Sequence, residues 1–322
     1  MTYEISLVVI GKNESHNLSR LINSVSLLND FEDIDSEFIY VDSASSDNSV
    51  EIASKFFDKV FTLESSKNLC AAAGRYIGTI NANKKWILYL DGDMELCEEF
   101  IDNIRQLIGS NHDNVGFLGK YVHVYNDGTI RSDGYGPKNN FYYKNELYVR
   151  HFGGAVLLPR KLVLKAGNYN PGVFSNEEID LHTRIRGLGG RVKFIDIEMI
   201  RHNTFHFSKL DTLIGYYWPT KFLGKKFYGF GQLIASRFSN NNILNLVRYF
   251  PYPFILLGSL ILSIAIFSIG YIFLAMILTM SAISYISYSK GIKFTLLYPG
   301  LIMQMIFGWK KYDSEYIPKV SK

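Results

Sequence analysis

Cysteine is almost missing from this sequence: Cys70 and Cys97 are the only two among 322 residues. That excludes a disulfide framework and a cysteine-rich metal module, and it fits a reducing compartment. Neither has a nucleophile's setting, and both read as packing residues. A surplus of one charge is missing too. Lys and Arg number 34 against 30 Asp and Glu, a net charge of +4. A dedicated nucleic-acid binder shows a stronger basic excess or a basic stripe. Disorder needs low hydrophobicity with high net charge, and 48% hydrophobic residues exclude it. The opening Met1-Thr2-Tyr3-Glu4 has no basic start and no long apolar stretch, which predicts no signal peptide. No P-loop signature occurs, and Gly229-Phe230-Gly231 lacks the spacing of a dinucleotide fingerprint. His202 and His206 are four apart, but Asn203-Thr204-Phe205 between them lacks the Glu of a zinc-protease motif. The length allows one large domain or two small ones.

Charge is absent altogether from Tyr249 to Ser289, a run of 41 residues. A membrane helix needs about 20 apolar residues, so the run predicts two spans over 251–290, turning at Ser268-Ile269-Gly270. Arg248 and Lys225-Lys226 precede it, and Lys290 and Lys293 follow. The positive-inside rule then puts both flanks in the cytoplasm. The competing reading is a buried helical pair. Phe294 to Phe307 is shorter and is followed by Lys310 and Lys311, so 291–322 reads as an interfacial or re-entrant segment and a tail. Residues 206–250 mix Tyr216, Tyr217, Trp218 and Phe222 with Lys221, Lys225 and Lys226. That pattern predicts an amphipathic juxtamembrane region.

Residues 1–205 alternate strand and helix. Ile5–Ile10, Phe38–Val41, Val60–Leu63 and Trp86–Leu90 are apolar runs of strand length, as buried parallel strands require. Between them lie helical spacings over Glu14–Leu28, after Asp47, and over Cys70–Asn83. Such alternation predicts an α/β fold with a mostly parallel sheet flanked by helices. Ligands bind beyond the carboxyl ends of such strands. Three polar segments fall there: Gly11-Lys12-Asn13-Glu14, Asp42 to Asp47, and Asp91-Gly92-Asp93. Further on, Asn126-Asp127-Gly128 predicts a hairpin turn. Ala155–Leu158 and Val192–Ile195 read as strands, and Glu177–Leu188 as a helix.

Asp91 and Asp93 are alternate residues at a strand end, and alternate residues share a face. Two carboxylates suit Mg2+ or Mn2+, which also binds phosphate. The bland reading is a solvated acidic turn. Asp42 can accept hydrogen bonds from a base or ribose, or merely cap a helix. Glu177-Glu178-Ile179-Asp180 either complements a helix dipole or supplies a general base. His202 is a candidate third metal ligand or a structural histidine.

Several of these segments, in this order, resemble the family 2 glycosyltransferases. Val8-Val9-Ile10-Gly11-Lys12-Asn13-Glu14 looks like their first strand and nucleotide loop, with Ile10 where a proline is usual. Val41-Asp42-Ser43-Ala44-Ser45-Ser46-Asp47 looks like their base-binding segment, and Ala72-Ala73-Gly74-Arg75-Tyr76-Ile77-Gly78 is similar to the helix that follows. Asp91-Gly92-Asp93 looks like their D-x-D motif. Glu177-Glu178-Ile179-Asp180-Leu181, with Arg184, resembles their E-D-x-D-L-x-x-R helix, with Glu178 in the place of the base.

The resemblance implies the GT-A fold and inverting sugar transfer from a nucleotide-sugar donor, a UDP-sugar foremost. Glu178 is then the general base. Ile10, Lys12, Glu14, Asp42, Arg75, Asp91, Gly92, Gly153, Gly154, Glu177, Asp180 and Arg184 line the donor. Asp91, Asp93 and His202 hold Mg2+ or Mn2+. Joined to the expected spans, it implies an enzyme of the inner membrane, multi-pass, with a cytoplasmic catalytic domain. Its acceptor is then a polyprenyl-diphosphate-linked glycan, as in surface polysaccharide assembly. Transfer to polyprenyl phosphate, and a non-catalytic sugar-nucleotide-binding scaffold, are the alternatives. Replacing Asp93 by Ala separates transferase from scaffold.

Overall fold

The computed structural model describes residues 2–65, 69–109, 113–132, 140–143, 146–204, 222–239, 243–249, 252–271, 274–278, 280–281 and 298–321. The chain divides into two compact units, Met1–His206 with Asp313–Lys322, and Phe207–Tyr312.

The first unit opens with strand β1 (Tyr3–Gly11), helix α1 (Ser15–Ser26), β2 (Ile34–Asp42), α2 (Ser49–Ala53) and β3 (Lys59–Thr62). Helix α3 (Ala71–Asn81), β4 (Trp86–Asp91), β5 (Met94–Leu96), α4 (Glu98–Gly109) and β6 (Val115–Tyr125) follow. Then come β7 (Ile130–Ser132), β8 (Asn140–Tyr143), β9 (Glu146–Val149), β10 (Val156–Pro159), α5 (Arg160–Lys165), α6 (Glu177–Gly187) and β11 (Arg191–Thr204). One sheet runs β3-β2-β1-β4-β10-β6-β11-β9-β8. Strands β3, β2, β1 and β4 are parallel. Strand β10 is antiparallel to both neighbours, β4 and β6, so the sheet is mixed rather than uniformly parallel. Strand β11 returns to parallel alongside β6.

Burial explains the apolar runs. Ile5, Leu7, Val8, Val9, Ile39, Val41 and Ile87–Leu90 are wholly inaccessible, covered on both faces. Each such side chain contributes about 1.5–3 kcal/mol relative to exposure. Helix α3 approaches the sheet closely because Gly74 and Gly78 carry no Cβ. One on Gly78 would lie 2.2 Å from Val8 Cγ1. The hairpin at Asn126-Asp127-Gly128 is present: β7 pairs antiparallel with β6, and Gly128 has φ +81°.

The four-residue strand expected at Val192–Ile195 is instead part of β11, fourteen residues long. Its polar residues hide it, and its register shifts between Phe194 and Ile200. The tail also differs from expectation. Residues 313–322 belong to the first unit, where Leu63 and Val320 form an antiparallel bridge and Ser321 N donates to Thr62 O at 2.8 Å.

The second unit holds α7 (Phe222–Ser239), α8 (Ile243–Tyr249), α9 (Tyr252–Ser268) and α10 (Tyr298–Lys310). Here the structure corrects the membrane assignment. No helix among the described residues is long and apolar enough to cross a membrane. Helix α9 has 17 residues, about 26 Å at 1.5 Å per residue, against a hydrocarbon core of about 30 Å. The turn itself lies where expected, at Ile269-Gly270, with Gly270 at φ +90°. The expected multi-pass inner-membrane placement, with its inside and outside, falls with the spans. The segment expected from Phe294 is helical over Tyr298–Lys310, and 294–297 lie outside the described residues. The expected juxtamembrane aromatics Tyr216, Tyr217 and Trp218 also lie outside them.

Candidate active site

Strands β1, β2 and β4 end level with one another, at Gly11, Asp42 and Asp91, because the register pairs Gly11 with Asp42 and Ile10 with Asp91. Their following loops are laced together. Asn13, at φ +59°, receives a hydrogen bond from Ser46 N at its Oδ1 and donates through its own N to Ser45 Oγ, both at 2.8 Å. Glu14 N donates to Ser49 Oγ at 2.8 Å. Asp47 accepts from Ser15 N and Ser49 N, at 3.1 and 3.0 Å. It thus holds the first amides of α1 and α2 together, a wider task than capping one helix. Asp42 is wholly buried and accepts from Ser45 N at 2.8 Å, so its carboxylate braces its own loop.

At the end of β4, Arg75 gathers three carboxylates. Its Nη2 donates to Asp91 Oδ1 at 2.6 Å. Its Nη1 donates to Glu177 Oε1 at 2.7 Å and Glu178 Oε1 at 3.3 Å. Arg75 is 2% exposed and lies 5.6 Å from the Tyr169 ring centre. The expected donor-lining residue is therefore a buried strut joining α3, β4 and α6. Burial works against its charge, but Asp91, Glu178 and Glu177 outweigh that and hold it protonated. Burial, assisted by Glu178, pushes the Glu177 carboxyl up to about 8. Burial also raises Asp91. Glu178 is the most exposed acid of α6 at this cluster, with 20% of its side chain accessible.

Gly154 sits where a side chain cannot. A Cβ there would lie 2.2 Å from Asp91 Oδ2 and 3.1 Å from Arg75 Nη2. Its role here is to admit the Asp91–Arg75 pair. Gly153 precedes it in the same bend before β10. Gly92 is close to Glu14, whose Cγ would be 2.7 Å from a Cβ. Burial raises the Glu14 carboxyl, and Asn17 Nδ2 donates to it at 2.7 Å. Ile10 is buried under Gly74, and Lys12 is exposed beside the loops.

Asp180 and Arg184 are turned elsewhere. Arg184 Nε donates to Asp180 Oδ2 at 3.1 Å, and its Nη1 bonds the Ala166 carbonyl, tying α6 to the end of α5. Asp180 is 1% exposed. In this structure the pair braces the helix.

Asp93 and His202 form the second centre. His202 Nε2 lies 3.1 Å from Asp93 Oδ2. Burial opposes a charge on His202, but the bond to Asp93 and the nearby acids raise its pKa overall. The other carboxylate oxygen, Asp93 Oδ1, is buried without a hydrogen-bond partner. An orphaned carboxylate oxygen beside an imidazole fits a divalent cation. Among the described residues, however, no group of three or more His, Cys, Asp or Glu forms a metal cluster. Asp91 does not join the pair, because Arg75 holds its Oδ1. Mg2+ bound by one or two carboxylates normally takes its remaining oxygens from phosphate and water.

Sequence reasoning missed three residues here. Tyr121 is buried, donates from Oη to Ala155 O at 2.7 Å and accepts from Ala155 N at 2.8 Å, fixing the segment after Gly154. Tyr169 backs Arg75. His123 meets His202 across β6 and β11, a neighbour that only strand register could reveal. Cys70, as read, is a packing residue. Its thiol lies 3.6 Å from the carbonyls of Pro171 and Val173, and burial pushes it up to about 12.

Residues 6–162 match the family model described as Glycosyl transferase family 2. An uncharacterized glycosyltransferase of Rickettsia conorii is 35% identical over 114 residues, 35% of this chain and 36% of that protein. One from Rickettsia bellii is 36% identical over 114 residues, 35% of each chain. These matches thus span about a third of the length of the curated relatives. Among solved structures, S. aureus TarS 1–349 in complex with UDP-GlcNAc is similar with TM-score 0.53 and 15% identity, over 97% of this chain and 89% of that one. GalNAc-T7 with UDP, GalNAc and Mn2+ gives 0.51 and 15%, over 72% of this chain and 48% of that one. At such identities the likeness shows a shared fold.

Proposed function

We infer that this chain, whose residues 6–162 match the Glycosyl transferase family 2 model, is a family 2 glycosyltransferase that transfers a sugar from a nucleotide-sugar donor to an acceptor hydroxyl with inversion. The observation that carries this is the Arg75 cluster. It sets Glu178 and Asp91 on one guanidinium, at the strand ends where such sheets bind ligands. Glu178 is the general base. It takes the acceptor's hydroxyl proton as the acceptor oxygen bonds to the anomeric carbon. The bond from that carbon to the diphosphate oxygen breaks, and its electron pair leaves with the nucleoside diphosphate. Arg75 holds the Glu178 carboxylate in place through its 3.3 Å contact. Asp93 and His202 would hold Mg2+ or Mn2+, which when bound neutralises charge on the diphosphate. Lys12, Glu14 and Gly92 border the donor, and the Asp42 loop borders its base. UDP is the nucleotide we favour, because the structural neighbours above are described with UDP or UDP-GlcNAc.

The acceptor we favour is a glycan on polyprenyl diphosphate. Its support lies within the second unit, where a cleft of about 460 Å³ is lined by Ile234, Phe238, Phe254, Ile261, Met305 and Trp309. Apolar concavities of this size suit hydrocarbon.

The experiment is nucleotide release from a panel of nucleotide sugars with Mn2+ or Mg2+. It compares wild type with Asp93→Ala and with chelator, each with and without lipid-linked acceptor. Release from one donor, lost in Asp93→Ala and with chelator, is the expected outcome. Donor binding without release in folded protein leaves the scaffold reading, and absence of both removes the transferase and that scaffold alike. Release without any dependence on lipid acceptor removes the proposed acceptor but keeps the transferase.

A further inference from the structure

His123 on β6 and His202 on β11 are register partners of a parallel pair. Their rings meet edge to face with centroids 5.2 Å apart, and their Nδ1 atoms are 3.2 Å apart. The rings of Tyr121 and Tyr125 flank His123, with centroids at 6.3 and 6.4 Å. Since His202 Nε2 faces Asp93, the side chains form a line, Asp93–His202–His123.

A neutral imidazole has one N–H and one lone pair. A neutral His202 that donates through Nε2 to Asp93 accepts at Nδ1, which makes His123 Nδ1 the donor. A cation on Nε2 needs that lone pair, and the proton of His202 must then sit on Nδ1. The atom 3.2 Å away must become the acceptor. His123 meets this by carrying its own proton on Nε2.

We propose that His123 is a positioning residue that sets the tautomer and ring orientation of His202 for binding a divalent cation. The inference rests on the reading of Asp93 and His202 as the cation's protein ligands. A metal-binding histidine normally donates its second N–H to an acceptor, and losing that partner weakens metal affinity about 10–100-fold.

The test is Mn2+ titration in the presence of UDP, with free Mn2+ followed by electron paramagnetic resonance. No donor sugar is present, so turnover plays no part. His123→Phe keeps a ring between the tyrosines but offers no acceptor, and His123→Asn offers an amide oxygen near the place of Nδ1. We expect His123→Phe to bind Mn2+ about 10–100-fold more weakly than wild type, and His123→Asn to bind close to wild type. Far-ultraviolet circular dichroism checks folding, and His123→Leu serves should His123→Phe not fold. Wild-type affinity in His123→Phe, with loss in Asp93→Asn and His202→Ala, overturns this inference alone. Equal weakness of His123→Asn and His123→Phe also overturns it, since an acceptor would then not be what matters. Mn2+ binding indifferent to Asp93→Asn and His202→Ala overturns the cation reading as well.

Discussion

The buried Arg75 and the partly exposed Asp91 form an ion pair, Nη2 to Oδ1 at 2.6 Å, that joins the middle of α3 to the last residue of β4. The same guanidinium reaches Glu177 and Glu178 on α6, about a hundred residues further along the chain. One side chain thus fixes the relative placement of the proposed base and the strand end. Its removal leaves three carboxylates facing one another. Breaking a buried pair by deleting one partner costs about 3–5 kcal/mol. Arg75→Met is expected to lose stability on that scale in urea unfolding. Adding Glu177→Gln should recover part of the loss, because contacting residues are not additive. Arg75→Lys should be impaired too, since an ammonium cannot span the carboxylates as the guanidinium fork does.

The pH dependence of stability follows from two buried groups with opposite signs. Glu177 is raised from 4.5 to about 8. The folded state therefore holds its proton where the unfolded chain has lost it. Its contribution is complete below about pH 4.5 and is lost as pH rises towards 8. His182 is lowered from 6.5 to about 3, chiefly by burial. There the unfolded chain binds the proton first, so that contribution is complete above about pH 6.5 and is lost as pH falls towards 3. Urea midpoints across pH 4–9 should show both declines. Glu177→Gln should flatten the alkaline decline and leave the acid one. An unchanged alkaline decline in that variant would remove Glu177 as its source.

Glu178 carries the proton transfer in the proposed reaction, so its variants should separate binding from chemistry. General-base catalysis contributes about 10²–10⁴-fold. Glu178→Gln is expected to lose kcat on that scale while the KM for the donor stays within a few fold. Glu178→Asp keeps the charge but draws the carboxylate back, and it should fall between the two. Steady-state kinetics of nucleotide release with acceptor present checks this. A large rise in donor KM with unchanged kcat would make Glu178 a binding residue instead.

How much of this was legible beforehand differs by element. Strands β1, β2 and β4 were readable because they are buried on both faces and so uniformly apolar. The convergence of Gly11, Asp42 and Asp91 followed from that alternation. Strand β11 was readable over only four of its fourteen residues, because its buried positions are interrupted by the half-buried Arg191, Lys193 and Glu198 and the exposed Asp196 and Arg201. The pairings Arg75–Glu177 and His123–His202 span 102 and 79 residues, and no local pattern reports such distances. The membrane spans failed on length instead: the turn lies where the sequence placed it, at Ile269-Gly270, but the helix before it holds only 17 residues, Tyr252–Ser268.

Two glycines give a final contrast, because one is constrained by space and the other by backbone conformation. A methyl group on Gly154 would lie 2.2 Å from Asp91 Oδ2, and Asp91 cannot retreat without releasing Arg75. Gly128 has open space around its Cβ position but sits at φ +81°, in the turn between β6 and β7. A non-glycine residue in that left-handed region costs about 1–3 kcal/mol, and it touches nothing in the site. Gly128→Ala should therefore lower the unfolding midpoint while kcat/KM stays near wild type. Gly154→Ala should lower both, because it moves a carboxylate of the Arg75 cluster. Measuring thermal unfolding and nucleotide release on both variants decides the matter. Full activity in Gly154→Ala would show that Asp91 can leave Arg75 without consequence, and the cluster would then be structural alone.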